Sequence, residues 1–146
     1  MKKTLILIAI SIVIITTSFS GGPTPNCDSD EFLDNCAPAL GDFTFIKSFN
    51  VDVKKAGEKT EYSYVFSKGS EYRIVICDQN IAGKKMIVNF YDRGKKLVGT
   101  NYLKSNKKFY PTINYQCSAT GVYYVEAYFE DDKTGCGINM LGFKKM

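Results

Sequence analysis

The sequence predicts an all-β fold, an antiparallel, jelly-roll-like β-sandwich of about eight strands with one short N-terminal helix. Three observations carry this. From Phe43 onward the apolar residues recur with a period of two, as strands half buried against a core require. Turn-forming clusters separate the runs: Lys68-Gly69-Ser70, Asp92-Arg93-Gly94 and Ser118-Ala119-Thr120-Gly121. The composition holds 10 Tyr and 10 Phe with no Trp, and β-branched residues are frequent, which favours pleated structure.

Ahead of the strands, residues 1–20 read as an export signal. Lys2 and Lys3 supply a positive start, and Leu5 to Ile15 form an apolar stretch short for a bilayer span. Ser18-Phe19-Ser20 then places small residues where a signal peptidase inspects them. Residues 21–41 form a linker and a short helix. Gly21 to Asn26 holds two Gly and two Pro, and Asp28 with Glu31 has capping-box spacing. Phe32, Leu33 and Cys36 make the inner face of a helix that stops before Pro38.

Residues 42–146 make the sandwich. Tyr62, Tyr64 and Phe66 alternate with Ser63, Val65 and Ser67; Tyr72, Ile74 and Ile76 alternate with Glu71, Arg73 and Val75. Met86, Val88 and Phe90 alternate with Lys85, Ile87 and Asn89. Further strands are expected near 43–53, 96–103, 109–117, 122–130 and 136–143. Val122-Tyr123-Tyr124-Val125 and Ile138-Asn139-Met140-Leu141 are apolar or aromatic on both faces. Central strands partly covered by the N-terminal helix account for that, and so does an exposed binding face.

Three segments resemble the bacterial pre-peptidase C-terminal type of β-sandwich. They are Ser67-Lys68-Gly69-Ser70-Glu71-Tyr72-Arg73-Ile74, Val88-Asn89-Phe90-Tyr91-Asp92-Arg93-Gly94-Lys95 and Ala119-Thr120-Gly121-Val122-Tyr123-Tyr124-Val125. The resemblance spans residues 60–143 and implies a sandwich with a non-catalytic binding or stabilising role. This chain departs from the pattern in its N-terminal helix and its cysteines.

Charge and composition exclude several classes. Without residues 1–20 the net charge falls from +4 to +2, because Lys2 and Lys3 leave. Only Arg73 and Arg93 are arginines, so neither net charge nor side-chain type argues for nucleic acid. No second apolar run is long enough for a membrane helix. The chain has no His, which removes the usual general base and the commonest zinc ligand. No catalytic constellation stands out, and a lysine-rich start suits a bacterial origin.

Five cysteines in an exported chain allow two disulfides and one remaining thiol. If consecutive strands alternate in direction, Cys77 and Cys136 fall at one pole of the sandwich and Cys117 at the other. The preferred bridge is therefore Cys77–Cys136. Either a helix separates Cys27 and Cys36 by roughly 13 Å, too far to bridge, and Cys117 pairs with Cys36 or Cys27, or the two pair together and there is no helix between them.

Three weaker candidates remain. Asp78, Asp131 and Asp132 gather by strand parity at one pole, where their oxygens suit calcium. The doublets Lys54-Lys55, Lys84-Lys85 and Lys107-Lys108 fall at the same pole, a basic rim for an anionic polysaccharide, an envelope surface or an acidic protein. Tyr91, Tyr102, Tyr110, Tyr115, Tyr123 and Tyr128 cannot all be core, and those left outside suit sugar stacking or protein contacts. The expectation is an exported or periplasmic, non-enzymatic binding protein that needs no cofactor. Alternatives are a calcium-dependent carbohydrate-binding module and a small hydrolase using Asp131 or Asp132.

Overall fold

The computed structural model describes residues 27, 29–79 and 85–146. The export signal, the Gly21–Asn26 lead-in, Asp28 of the capping box, Asn80 and Lys84 lie outside the described residues. Helix α1 runs over Ser29–Cys36 and tightens into a 3-10 turn at Ala37–Leu40, where Pro38 occupies an early position needing no N–H donor. The strands are β1 Thr44–Val53, β2 Thr60–Phe66, β3 Ser70–Asp78, β4 Met86–Tyr91 and β5 Leu97–Thr100. They continue as β6 Tyr102–Leu103, β7 Lys108–Phe109, β8 Thr112–Gln116, β9 Gly121–Phe129 and β10 Gly135–Lys145.

Eight of these strands form two antiparallel sheets, ordered β1-β10-β3-β8 and β2-β9-β4-β5, and the β6–β7 hairpin stands apart. Among the eight, the first pairs with the last, the second with the last but one, and so inward to β4 with β5. This is the jelly-roll arrangement, as the sequence predicts. The alternation places Phe66, Tyr72, Ile74, Val88, Phe90, Tyr123 and Val125 between the sheets. Phe66 stacks there on Tyr72 and Tyr123, with centroids 3.8 and 4.9 Å away.

Two expected strands are interrupted. The run near 96–103 breaks at Asn101, which is 2% exposed. Its side-chain carbonyl accepts the Val88 N–H at 2.7 Å and its amide donates to the Met86 carbonyl at 3.0 Å. A side chain thereby continues the ladder along β4. The run near 109–117 breaks at Pro111, which has no N–H but whose carbonyl accepts the Ile76 N–H at 2.8 Å.

The expected Cys77–Cys136 bridge is not formed. Cys27 bonds Cys136 and Cys36 bonds Cys77, with Cα separations of 5.6 and 6.3 Å. Strand parity does bring Cys77 and Cys136 to neighbouring strands, but Cys77 lies opposite Ile138, two residues past Cys136. Both belong to the outer face of the first sheet, where Val75, Ile138 and Met140 pack with Phe32, Cys36 and Leu40. Each therefore meets a cysteine arriving from the N-terminal segment. Cys117 is buried and unbridged, so it pairs with neither Cys36 nor Cys27. It lies at the opposite pole, beside the turn where its carbonyl accepts the Gly69 N–H.

Candidate functional site

The outer face of the second sheet carries aromatic and charged groups that are not buried, on adjacent strands. Because Tyr62, Phe66, Tyr123, Val125, Val88 and Phe90 turn inward, their neighbours must turn out. The register aligns them in rows. Ser63, Tyr124, Tyr91 and Leu97 form one row across β2, β9, β4 and β5. Glu61, Glu126, Asn89 and Thr100 form the next. Tyr128 follows beside Ile87, and Val65 lies opposite Val122 at the far end.

Glu61 directly opposite Glu126 is a like-charge pair, which a sheet disfavours. Two lysines offset it. Lys59 Nζ reaches Glu126 Oε1 at 3.2 Å, and Lys95 Nζ reaches Glu61 Oε1 at 3.1 Å. Asn89 Nδ2 and the Tyr91 hydroxyl also donate to Glu126 Oε1, at 3.3 and 3.4 Å. Burial disfavours charge on Lys59, but the Glu126 carboxylate outweighs it and holds the ammonium pKa above its usual value. Burial, reinforced by Glu126, raises the Tyr91 phenol and keeps it a donor.

The same lysines lie over the tyrosine rings. Lys95 Nζ is 3.4 Å from the Tyr124 centroid, and Lys59 Nζ is 4.8 Å from that of Tyr128. Lys95 gets there from a tight turn in which it adopts φ +61°. Asp92 fixes that turn: its Oδ1 accepts the Gly94 and Lys96 N–H groups at 2.8 and 2.9 Å. The face thus offers flat rings, a shared carboxylate, an amide and two displaceable ammonium groups, a set that stacks on and hydrogen-bonds a polyhydroxylated ligand.

No protein-family model matches the chain, and no curated protein matches it. Among solved structures it is similar to the CBM36-1 domain of a multidomain xylanase from the hindgut metagenome of Trinervitermes trinervoides. That match has 14% identity and a TM-score of 0.38, and covers 72% of this chain and 92% of the other. A likeness of that size fixes neither ancestry nor ligand.

The residues singled out from sequence disperse. Tyr91 and Tyr128 lie on the outer face. Tyr123 is buried with its hydroxyl on the Ala119 carbonyl at 2.8 Å, and Tyr115 packs against the core. Tyr102 stacks on Phe109 in the hairpin, and Tyr110 lies beneath Lys108. Glu126, Asn89, Lys59 and Lys95 are not among the candidates the sequence offers, and Tyr124 enters there only within the 122–125 run. One signal was available for Tyr124: in a strand, adjacent Tyr123 and Tyr124 cannot share a face.

No group of three or more His, Cys, Asp or Glu among the described residues converges to hold a metal, so Asp78, Asp131 and Asp132 make no ligand set. Asp78 Oδ2 accepts the Met86 N–H at 2.8 Å, while Asp131 and Asp132 take positive φ in an exposed turn. The lysine turns do share a pole, but with mixed charge. Lys54 pairs with Asp52 at 3.2 Å, Lys55 donates its N–H to Glu58, and Lys85 donates its N–H to Glu130 and lies over Phe109. Lys107 takes positive φ, and Lys108 covers Tyr110. A cleft of about 300 Å³ opens at this pole beside Ile76, Met86, Phe109 and Pro111. The side-chain amide of Asn101 there is satisfied by the β4 backbone.

Proposed function

We propose that this chain is an exported, non-enzymatic carbohydrate-binding protein that holds a neutral polysaccharide on the outer face of its second sheet. The observation that carries this reading is the row of Tyr91 and Tyr124, with Tyr128 beyond it, around the Glu126 carboxylate. Tyr124 and Tyr128 are four residues apart on β9, roughly 13 Å along the strand, which suits an oligosaccharide rather than one sugar. Tyrosine faces stack on pyranose rings, while the Glu126 carboxylate and the two lysines supply an acceptor and donors for hydroxyls. Paired opposite charges leave no net field to select an acidic polymer. Two disulfides suit an oxidising, extracytoplasmic setting.

Affinity electrophoresis through gels containing soluble polysaccharides tests this. The expected result is retardation by a neutral polymer that survives a chelator and is lost in Tyr124→Ala and Tyr128→Ala. Migration unaffected by every polymer, or retardation indifferent to both substitutions, refutes it.

A further inference from the structure

The two sheets leave four edge strands, β1 and β8 in the first and β2 and β5 in the second. An open edge is a row of unpaired backbone groups, and three of the four are blunted. β1 carries a register break between Phe45 and Lys47, and Lys47 itself. β5 has four residues and a break opposite Phe90 and Tyr91. β8 has five residues and exposes Asn114 and Gln116.

β2 is the longest unbroken edge of the three besides β1, and its only charged residue is Glu61. Its seven residues pair with β9 without a break from Thr60 to Phe66, and they include no Lys, Pro or Gly. Among the described residues no backbone group of this strand bonds outside the β9 ladder. The outward side chains beside it include Val65 and Val122, 55% and 40% exposed, and a shallow groove with Ser63 and Tyr64 adjoins them.

The sequence of this edge complements itself. An antiparallel second copy centred on Ser63 overlaps all seven residues, with Ser63 facing Ser63, Tyr62 facing Tyr64, Glu61 facing Val65 and Thr60 facing Phe66. No like charges meet. In the turns that flank the strand, Glu58 of one copy and Lys68 of the other come to the same end of the pairing, so opposite charges gather there twice by symmetry. Both residues are exposed on the single chain.

We propose that the β2 edge is a homodimer interface, at which two copies join their second sheets into one continuous antiparallel sheet about a two-fold axis at Ser63. The dimer does not depend on the carbohydrate reading. If that reading holds, the pairing aligns two tyrosine faces on one surface and raises retention through bivalency.

Sedimentation velocity on the full mature chain is the test. A mass of two chains is expected, converting to one in Ser63→Lys, which sets two ammonium groups face to face. Glu58→Lys and Lys68→Glu should each weaken the dimer, and the double exchange should restore it. Ser63→Cys should give a covalent dimer on non-reducing electrophoresis, which keeps the test decisive if the lysine variant fails to fold. A monomeric wild type, whatever extended peptide it takes up, overturns the proposal. So does a dimer that persists in Ser63→Lys without Ser63→Cys cross-linking. Polysaccharide retention by a monomer would leave the binding reading standing and sink only the interface.

Discussion

The two outer faces of the sandwich are built on the same period-two pattern and meet opposite fates. On the first sheet, Val75, Ile138 and Met140 form an apolar strip along its central strands, which α1 covers with Phe32, Cys36 and Leu40. The flanking strands turn polar there, with Asn50 and Asp52 on β1 and Asn114 and Gln116 on β8. Arg73 seals the end of the cover: its Nη1 donates to the Ala39 and Leu40 carbonyls at 3.3 and 3.2 Å, and its guanidinium lies 4.3 Å from the Phe43 centroid. On the second sheet, Tyr91, Tyr124, Tyr128 and Val122 have no helix above them among the described residues. An apolar face needs a cover from its own chain or from something else, and among the described residues the first sheet alone has the first kind.

The sharpest way to break the comparison is to remove the cover. An eight-residue helix does not hold by itself, so its position rests on Phe32 packing and two bridges with sequence separations of 109 and 41. Changing Cys27 and Cys36 to Ser should cost about 2–4 kcal/mol for each bridge. Val75, Ile138 and Met140 would then become accessible. Denaturant unfolding measures the loss, and a rise in dye binding to apolar surface reports the opened face. If stability holds, α1 is an ornament on the sheet rather than part of its core.

Next in size is a pair of aromatic deletions, one on each face. Phe32→Ala should cost about 3 kcal/mol, because the ring is 7% exposed and its removal leaves a cavity over Ile138 and Met140. Tyr124→Ala should cost under about 1 kcal/mol, since the residue is only half-buried and its ring lies under the Lys95 ammonium. Thermal unfolding of the two variants side by side decides it. Equal losses would mean that the tyrosine face is structural.

Much of the covered face was legible in sequence, and little of the open one. Tyr62, Tyr72 and Met86 each begin an alternation that fixed an inward face without reference to any other strand. The helix was readable too, from Phe32, Leu33 and Cys36 before Pro38. The bridges were not, because strand direction gives the pole of a cysteine but not its register, and Cys77 and Cys136 lie two residues out of register on a face that a third element covers. The open site failed for a related reason. Glu126, Asn89, Lys59 and Lys95 belong to separate strands and turns, and their meeting depends on register, which a local pattern does not contain. The apolar runs at 122–125 and 138–141 looked alike in sequence. The helix covers the outer face of the second, and among the described residues no helix covers that of the first.

A smaller contrast separates buried from outward tyrosines by pH. Burial raises the phenols of Tyr62 and Tyr123 well above the ordinary value of 10.0, and raises Tyr91 as well. The folded chain therefore holds these protons more tightly than the unfolded chain does. The stabilisation is complete below the ordinary tyrosine value and is lost as pH climbs from there towards the folded-state values. Urea midpoints should agree between about pH 8 and about pH 9 and fall by about pH 11. Tyr62→Phe should lessen that fall more than Tyr91→Phe, because the Tyr62 side chain is the more deeply enclosed. The reverse order would assign the alkaline transition to the open face.

The finest distinction concerns Lys95, whose ammonium lies on the Tyr124 ring where a sugar would stack. Its ion pair with Glu61 is solvent-exposed on both sides, so Lys95→Ala should change stability by no more than a few tenths of a kcal/mol. Retention by a neutral polysaccharide should increase, because the ring no longer has to shed a cation before it stacks. Lys95→Arg should not share the gain, since a guanidinium covers an aromatic face at least as well. Weaker retention in Lys95→Ala would make the ammonium a direct donor to the ligand. The tyrosines would then be the floor of a polar site, with the lysine as its main contact.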